Sequence, residues 1–333
     1  MSISVEPPLA DRADTPRGQG ETRARAIERR NYVAIVRAAV IVILAAVALT
    51  TPGFLSQPSM LSLLTTVSFI GCVAIGMTLI TISGNIMSFA LGALVGATAM
   101  IFVLAVNWGG FAFGLFAALA FAGLTNALQG ALVGALRANP IIVSIAVLAL
   151  IYGVAEAFAA HGTIYAAPGT SYGGFKGKIA GVPVEFAVLL FITALAQFIL
   201  SFTTFGRNLF LIGSSFRAAE AVGVQTWRTT TGAYLWAGLF TAPAGIMLAI
   251  RYDAASMNYG IGYEYDAIAA VLVGGTIIKG GEGSALRTLA GAMIIGVIQV
   301  VLVLQGLRTE WQYLIAGLIV LGVIALQTQG TRD

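Results

Sequence analysis

The stretch that decides the fold lies between two arginines and reads AAVIVILAAVALT (38–50), TPGFLSQPSMLSLLTTVSFIGCVAIGMTLITI (51–82), SGNIMS (83–88) and FALGALVGATAMIFVLAVNWGGFAFGLFAALAFAGLTNALQGALVGAL (89–136). These 99 residues contain no Asp, Glu, Lys, Arg or His. No water-soluble surface can be built that way. The whole chain agrees, with 58% of its 333 residues hydrophobic and only 10% charged, the balance of a polypeptide solvated mostly by lipid. Its 40 glycines are roughly twice the usual share, and in membrane helices small residues let backbones approach closely. The expected fold is all-α, a tightly packed polytopic membrane helix bundle.

The same composition removes several function classes. A single thiol, Cys72, forbids an internal disulfide and cannot supply a zinc site alone. The one histidine, His161, has no His or Cys partner nearby in sequence, so no metal site is expected. No cluster of His, Cys or paired carboxylates suggests an intramembrane enzyme. The net charge of +4 is spread in ones and twos beside apolar segments rather than gathered with aromatics, which argues for membrane orientation and against nucleic acid.

Residues 1–32 hold three prolines, five acids and six arginines, a composition that cannot bury a core, and are expected to form a disordered cytoplasmic arm. A helix needs roughly 20 residues to cross a hydrocarbon core of about 30 Å. Runs of that size fall at 33–51, 61–82, 86–106, 111–136, 140–160, 184–205, 229–251, 266–282, 286–305 and 311–328, about ten spans, some interrupted, followed by a short tail, 329–333. An even number puts both termini on one side. With the N-terminus inside, 13 of the 18 basic residues face the cytoplasm, the sense the positive-inside rule requires.

Three segments carry more than hydropathy. The loop 206–228 contains Ser214-Ser215-Phe216-Arg217-Ala218-Ala219-Glu220-Ala221-Val222-Gly223, a serine N-cap, a short run of helix formers and a glycine stop. Such a helix could dock a partner through Phe216, Val222, Arg217 and Glu220, or could simply pack on its own bundle. The other two are glycine-rich breaks, Ser83-Gly84-Asn85-Ile86-Met87-Ser88-Phe89 and the series Gly260 to Ser284. Irregular backbone at membrane depth is tolerated only where it is buried in protein or lines a watery cavity. Interrupted segments therefore point to a transport pathway, with tight turns between spans as the alternative.

The order Gly206-Arg207, then Ala218-Ala219-Glu220-Ala221-Val222-Gly223-Val224, then Gly260-Ile261-Gly262-Tyr263-Glu264-Tyr265-Asp266-Ala267-Ile268-Ala269-Ala270-Val271-Leu272-Val273-Gly274-Gly275-Thr276, then Gly280-Gly281-Glu282-Gly283-Ser284 resembles the permease subunit of ribose-type monosaccharide ABC importers. Asn139-Pro140-Ile141-Ile142-Val143-Ser144 and Gly181-Val182-Pro183 fall where that family has similar segments, and the resemblance covers residues 30–328. It implies a permease domain over 33–328. It makes the segment Arg217, Ala218, Ala219, Glu220 to Gly223 a coupling helix seated in a groove of a cytoplasmic ATPase. It gives Gly262, Glu264, Asp266, Gly274, Gly275, Gly280, Gly281 and Gly283 as the family's structural motif. It also implies a second permease chain, identical to this one, a periplasmic solute-binding protein, and a bacterial inner-membrane location. Family members commonly carry an acid followed by Leu-Ser after the first glycine break; Met87-Ser88-Phe89 stands here without the acid.

The residues themselves supply no motor. No Gly-x-x-x-x-Gly-Lys-Ser/Thr occurs, and Gly177-Lys178 is followed by Ile179, so ATP and magnesium are expected on a partner subunit and no cofactor on this chain. Charges in spans are functional candidates by default. Glu156 lies near the outer end of its span and could contact solute or reach the interface. Asp266, after Glu264 at a span entry, suits a helix N-terminus, so capping is its expected role. For a neutral solute, uncharged polar groups within spans are better candidates: Asn85, Ser88, Asn126 and Gln129, against the alternative of interhelical hydrogen bonding. The expected function is inward transport of a small polar solute, a monosaccharide or related compound, powered by ATP on a partner. The rivals are a proton-coupled secondary transporter using Glu156 and an ABC permease for a non-sugar solute.

Overall fold

The computed structural model describes residues 48–159, 162–170, 172, 174–179, 181–308 and five positions between 311 and 318. The expected arm 1–32, most of the spans at 33–51 and 311–328, and the tail lie outside the described residues. Among the described residues, six helices are long and apolar enough to cross a membrane, and one of them is double. α1 (Gln57–Ile82) starts where the Ser56 side chain accepts from the Ser59 backbone N–H and Pro58 occupies the first turn, a position that needs no amide donor. α2 (Ala90–Leu136) is one run of hydrogen bonds broken at Gly110, whose φ of 79° and ψ of −178° are non-helical. Gly114 packs back on Val106 and Phe102, so the two arms, 90–109 and 111–136, run antiparallel.

A three-residue turn leads to α3 (Pro140–Ala159), which begins after Asn139, whose side chain accepts from the Ile141 N–H at 2.9 Å. A region of two-residue strands follows, β1 (Ile164–Tyr165), β2 (Lys178–Ile179) and β3 (Val182–Pro183). α4 (Val184–Phe202), α5 (Thr204–Ser214), α6 (Phe216–Ala221) and α7 (Thr226–Tyr252) come next. β4 (Ala254–Ala255) pairs antiparallel with β1, while β2 pairs with β3. A single 3-10 turn, Met257–Gly260, leads to α8 (Tyr263–Val273), and α9 (Ala285–Leu304) ends the long helices.

α7 is the central pillar and α3 the peripheral one. Of the apolar window in α7, 78% is buried; in α3 the share is 11%. Small residues explain the difference. A β-carbon on Gly130 would lie 2.6 Å from the Tyr234 β-carbon, one on Gly134 2.9 Å from the Trp227 carbonyl, and one on Gly76 2.6 Å from the Ala237 carbonyl, while Gly238 and Gly245 abut the Ala122 and Val95 carbonyls. α7 is thus wedged between α1 and both arms of α2, backbone against backbone, as small residues permit in membrane bundles.

The expected span at 266–282 is corrected. α8 starts earlier, at Tyr263, and stops at Gly274, eleven residues in all, about 16 Å at 1.5 Å per residue and half of what a crossing needs. Positive φ at Gly275, Gly280 and Gly281 ends it, because only glycine takes that region without strain. Residues 253–262, with β4 and the 3-10 turn, lead into α8 and pack in part against α2: Gly260 lies on the carbonyl of Gly92, and a β-carbon on Gly96 would meet the Met257 carbonyl at 2.7 Å.

The glycine-rich loop after α8 converges with two others. The Gly281 N–H donates to the Ile82 carbonyl at 3.0 Å. Gly213, at the end of α5, touches both of those residues, and Gly280 lies on the backbone of Gly84. The first break, the α5–α6 corner and the second break therefore meet in one junction of nearly bare backbone.

Candidate functional site

The polar candidates separate into three places. Ser88 and Gln129 are brought together: both are fully buried, and Gln129 Nε2 donates to Ser88 Oγ at 2.9 Å. Ser88 is held in turn by its own N–H, which points to the sulfur of Met77 in α1 at 3.3 Å. Asn126 lies one turn before Gln129 on the second arm of α2, also buried, against Gly238 of α7. Asn85 is elsewhere, half-buried at the mouth of the break, where its Nδ2 donates to Ser83 Oγ at 2.8 Å. Glu156 is near the opposite end of the molecule on α3, half-exposed. So the structure gathers Ser88, Asn126 and Gln129, and leaves Asn85 and Glu156 apart from them.

Two further side chains belong with this group and escaped the sequence reading. Tyr234 and Thr241 are buried on the face of α7 that turns toward α1 and α2. Among the described residues, the Tyr234 hydroxyl, Thr241 Oγ1, Thr98 Oγ1, Asn126 Nδ2 and Gln129 Oε1 make no hydrogen bond. A buried polar group without a partner costs about 1–3 kcal/mol, and these five atoms lie on α2 and α7. The signal in the sequence is the run Tyr234, Gly238, Thr241, Gly245 at helical spacing, which places polar and small residues on one face of an apolar helix.

The acids of the glycine-rich motif have specific neighbours. Asp266 is buried and accepts from Gln299 Nε2 of α9 at 2.8 Å, so its side chain ties α8 to α9. The expected capping role is corrected: α8 is entered through Gly262 at φ 91°, with no side-chain cap, and the Gly262 carbonyl accepts from the Tyr265 and Asp266 amides. A glycine with positive φ already sets the entry angle, leaving the carboxylate free to reach a neighbouring helix. Glu264, one residue inside the helix start, packs a carboxylate oxygen onto Gly92 of α2. Gly274, Gly275, Gly280, Gly281 and Gly283 form the loop of the backbone junction; a β-carbon on Gly283 would meet Ile82 at 2.5 Å.

The loop 206–228 folds as its residues specify. Thr203 Oγ1 accepts from the Gly206 N–H at 3.1 Å and caps α5; Ser215 Oγ accepts from the Ala218 N–H at 3.3 Å and caps α6. Gly223, at φ 81°, ends α6. Ala219 is buried against the bundle, while Arg217, Ala218 and Val222 are exposed. Phe216 and Glu220, one turn apart, face Arg137 at the end of α2: Arg137 Nη2 lies 2.6 Å from Glu220 Oε1, and its guanidinium carbon lies 5.1 Å from the centre of the Phe216 ring. Two of the side chains expected to face a partner thus face this chain's own bundle. Arg137, at φ 52°, occupies the left-handed position past a helix end that glycine usually fills, at a cost of about 1–2 kcal/mol.

At the other end of the bundle, β2, β3 and the ends of α1, α4 and α7 line an open cavity of about 320 Å³, with Leu61, Lys176, Lys178, Glu185 and Arg251 on its wall. Lys176 pairs with Asp253, and Arg251 lies 3.7 Å from Glu185.

Comparison with known proteins decides the family. The model of a family described as branched-chain amino acid transport system / permease component matches residues 59–324, which spans every long helix above. The chain belongs to this permease family. It is 27% identical to the ribose import permease protein of Haemophilus influenzae over 92% of this chain and 95% of that one. It is 30% identical to an inner membrane ABC transporter permease protein of Escherichia coli, over 83% and 85% of the two chains. An autoinducer 2 import system permease protein of Enterobacter is 30% identical over 83% and 80%. No solved structure matches. The chain is a transport permease and a multi-pass membrane protein, and the apolar helices, the irregular segment and the glycine junction are the architecture of this family member.

Proposed function

We propose that this permease is the membrane subunit of an ATP-driven importer for a neutral polyhydroxy solute, a monosaccharide or a compound of that class. The observation that carries the solute class is the α2–α7 seam. Ser88, Asn126, Gln129, Thr98, Tyr234 and Thr241 offer hydrogen bonds without a single formal charge, which suits hydroxyl groups. A zwitterionic amino acid, the solute named in the family description, would call for paired charges that the seam does not supply. The import permeases for ribose and autoinducer 2 among its relatives agree with this choice.

The energy source is a separate ATPase subunit carrying ATP and magnesium, because the sequence has no phosphate-binding loop. It docks on the exposed side of α6, formed by Arg217, Ala218 and Val222, with Ala219, Glu220 and Gly223 fixing the helix to the bundle. This reading places α6 and both termini in the cytoplasm, and the 162–183 segment in the periplasm of a bacterial inner membrane, where a solute-binding protein delivers its load. A second copy of the permease completes the pathway. ATP binding moves α6, and the shared glycine junction carries that movement to both breaks. Solute contributes only through unequal affinity for the two states, since a ligand bound equally by both shifts nothing.

The deciding experiment is uptake into proteoliposomes of a labelled monosaccharide, with this chain alone and with its ATPase and binding protein, under ATP or a proton gradient. Uptake that requires the partners and ATP supports the reading. Uptake by the chain alone on a proton gradient, abolished by Glu156→Gln, overturns it.

A further inference from the structure

We propose that Arg137 is the positioning residue that transmits the movement of α6 to the solute-facing arm of α2. The inference rests on the transporter reading above and adds to it a residue that neither the motif nor the polar seam contains. It starts from a backbone outlier. Arg137 and Asp253 are the two non-glycine residues with positive φ among the described residues. A left-handed arginine at a helix end, where glycine would be relaxed, calls for a reason in its side chain.

Among the described residues the side chain has two partners, and both are on α6. Its guanidinium bonds Glu220 at 2.6 Å and stacks over Phe216 at 5.1 Å. Those residues are four apart, so they stand on one face of the helix, and Arg137 is held at two points. An arginine does this well, since its planar group pairs with a carboxylate and lies on an aromatic face at once. The other side of α6, with Arg217, Ala218 and Val222, stays exposed. One helix therefore presents one face to a partner and hands the opposite face to Arg137.

Fold stability does not account for the arrangement. The Arg137 and Glu220 side chains are 68% and 41% exposed, and exposed ion pairs contribute little to folding. What the pair does fix is geometry. Arg137 ends α2 and opens the turn into α3. Two turns back along the same rigid arm lies Gln129, bonded to Ser88 in the first break, with Asn126 one turn further. A displacement of α6 thus reaches the polar seam through Arg137 and the second arm of α2, in addition to the route through the glycine junction.

Arg137→Gly separates this role from a structural one, because glycine relaxes the left-handed backbone while deleting both contacts. In the complex with the ATPase and binding protein, the variant is expected to unfold at an unchanged or higher temperature and to retain the ATPase on co-purification. ATP-dependent monosaccharide uptake should fall by roughly five-fold or more, the lower end of typical coupling between sites, and ATP hydrolysis should lose its dependence on loaded binding protein. Arg137→Lys, which keeps the charge over Phe216, should restore part of the loss. Uptake by Arg137→Gly at the wild-type rate overturns the proposal, as does loss of uptake together with loss of the bound ATPase. Failure of the transporter reading is distinguishable, since it would appear in the wild-type complex as no ATP-dependent uptake at all.

Discussion

Gly213 and Gly153 have opposite surroundings. At the junction where α5 ends, a methyl group on Gly213 would overlap the Ile82 carbonyl and the Gly281 amide; midway along α3, nothing lies within 4 Å of a methyl group on Gly153. Both are helical glycines in a glycine-rich chain, and composition treats them alike. The difference shows that close packing requires some of these glycines and not others. In the α1–α2–α7 core and at the junction, the chain's own backbone occupies the space a side chain would fill. On α3 no part of the described chain does.

The comparison is broken most directly at the junction. Gly213→Ala forces apart two backbone groups that cannot rotate away, so its cost should exceed the usual overpacking range of about 1–3 kcal/mol. Thermal unfolding of the purified chain should show the largest fall of any single alanine here. A variant as stable as the parent would mean that the three loops do not meet. Gly92→Ala tests the same close packing where a side chain is involved. The new methyl would collide with the Glu264 carboxylate and lie 2.8 Å from the Gly260 carbonyl, for a cost of about 2–3 kcal/mol. Combined with Glu264→Ala it should cost clearly less than the sum of the two single changes, as contacting residues do. Strict additivity would place Glu264 away from α2.

Gly110 isolates backbone conformation from crowding. Nothing approaches the position of its β-carbon, yet φ is 79° with an extended ψ, a region essentially reserved for glycine. Gly110→Ala should therefore destabilise by about 1–2 kcal/mol through strain alone, and Gly110→Asn by a similar amount, since extra volume is not the problem. If Gly110→Ala unfolds at the parental temperature, α2 is a single bent helix and not a pair of antiparallel arms.

These pairs also show what the amino-acid sequence discloses and what it withholds. The membrane bundle follows from the charge-free run between Arg37 and Arg137, because hydropathy and span length are local properties. The capped helix α6 follows from Ser215 and Gly223, again local. The approach of Gly84, Gly213 and Gly280 does not, and neither does Arg137 on Glu220, 83 residues away. In a soluble helix the polar face tells which side is buried, but a span is apolar all round, so the buried face of α7 is not marked by periodicity. Only the exceptions, Tyr234 and Thr241 at helical spacing with Gly238 and Gly245, give it away. The span expected at 266–282 failed for a related reason. Hydropathy counts apolar residues, and Gly275, Gly280 and Gly281 are neutral to it while ending the helix by conformation.

The smallest expected effect has the opposite sign, and for that reason it is the most informative about α3. Gly153 has ordinary helical geometry and open space around it, so alanine there recovers helix propensity worth up to about 1 kcal/mol and should raise the unfolding temperature of the isolated chain slightly. The exposed side of α3 runs through Ile142, Ile145, Leu150 and Val154, all suited to lipid. If lipid is all that covers it, Gly153→Ala should leave transport by the assembled system unchanged. A more stable chain whose transport nevertheless falls would mean that a surface from outside this chain lies close against the middle of α3 and needs the missing side chain, as Ile82 and Gly281 need it at Gly213. Gly153 would then be the same kind of glycine as Gly213, with its partner on another molecule.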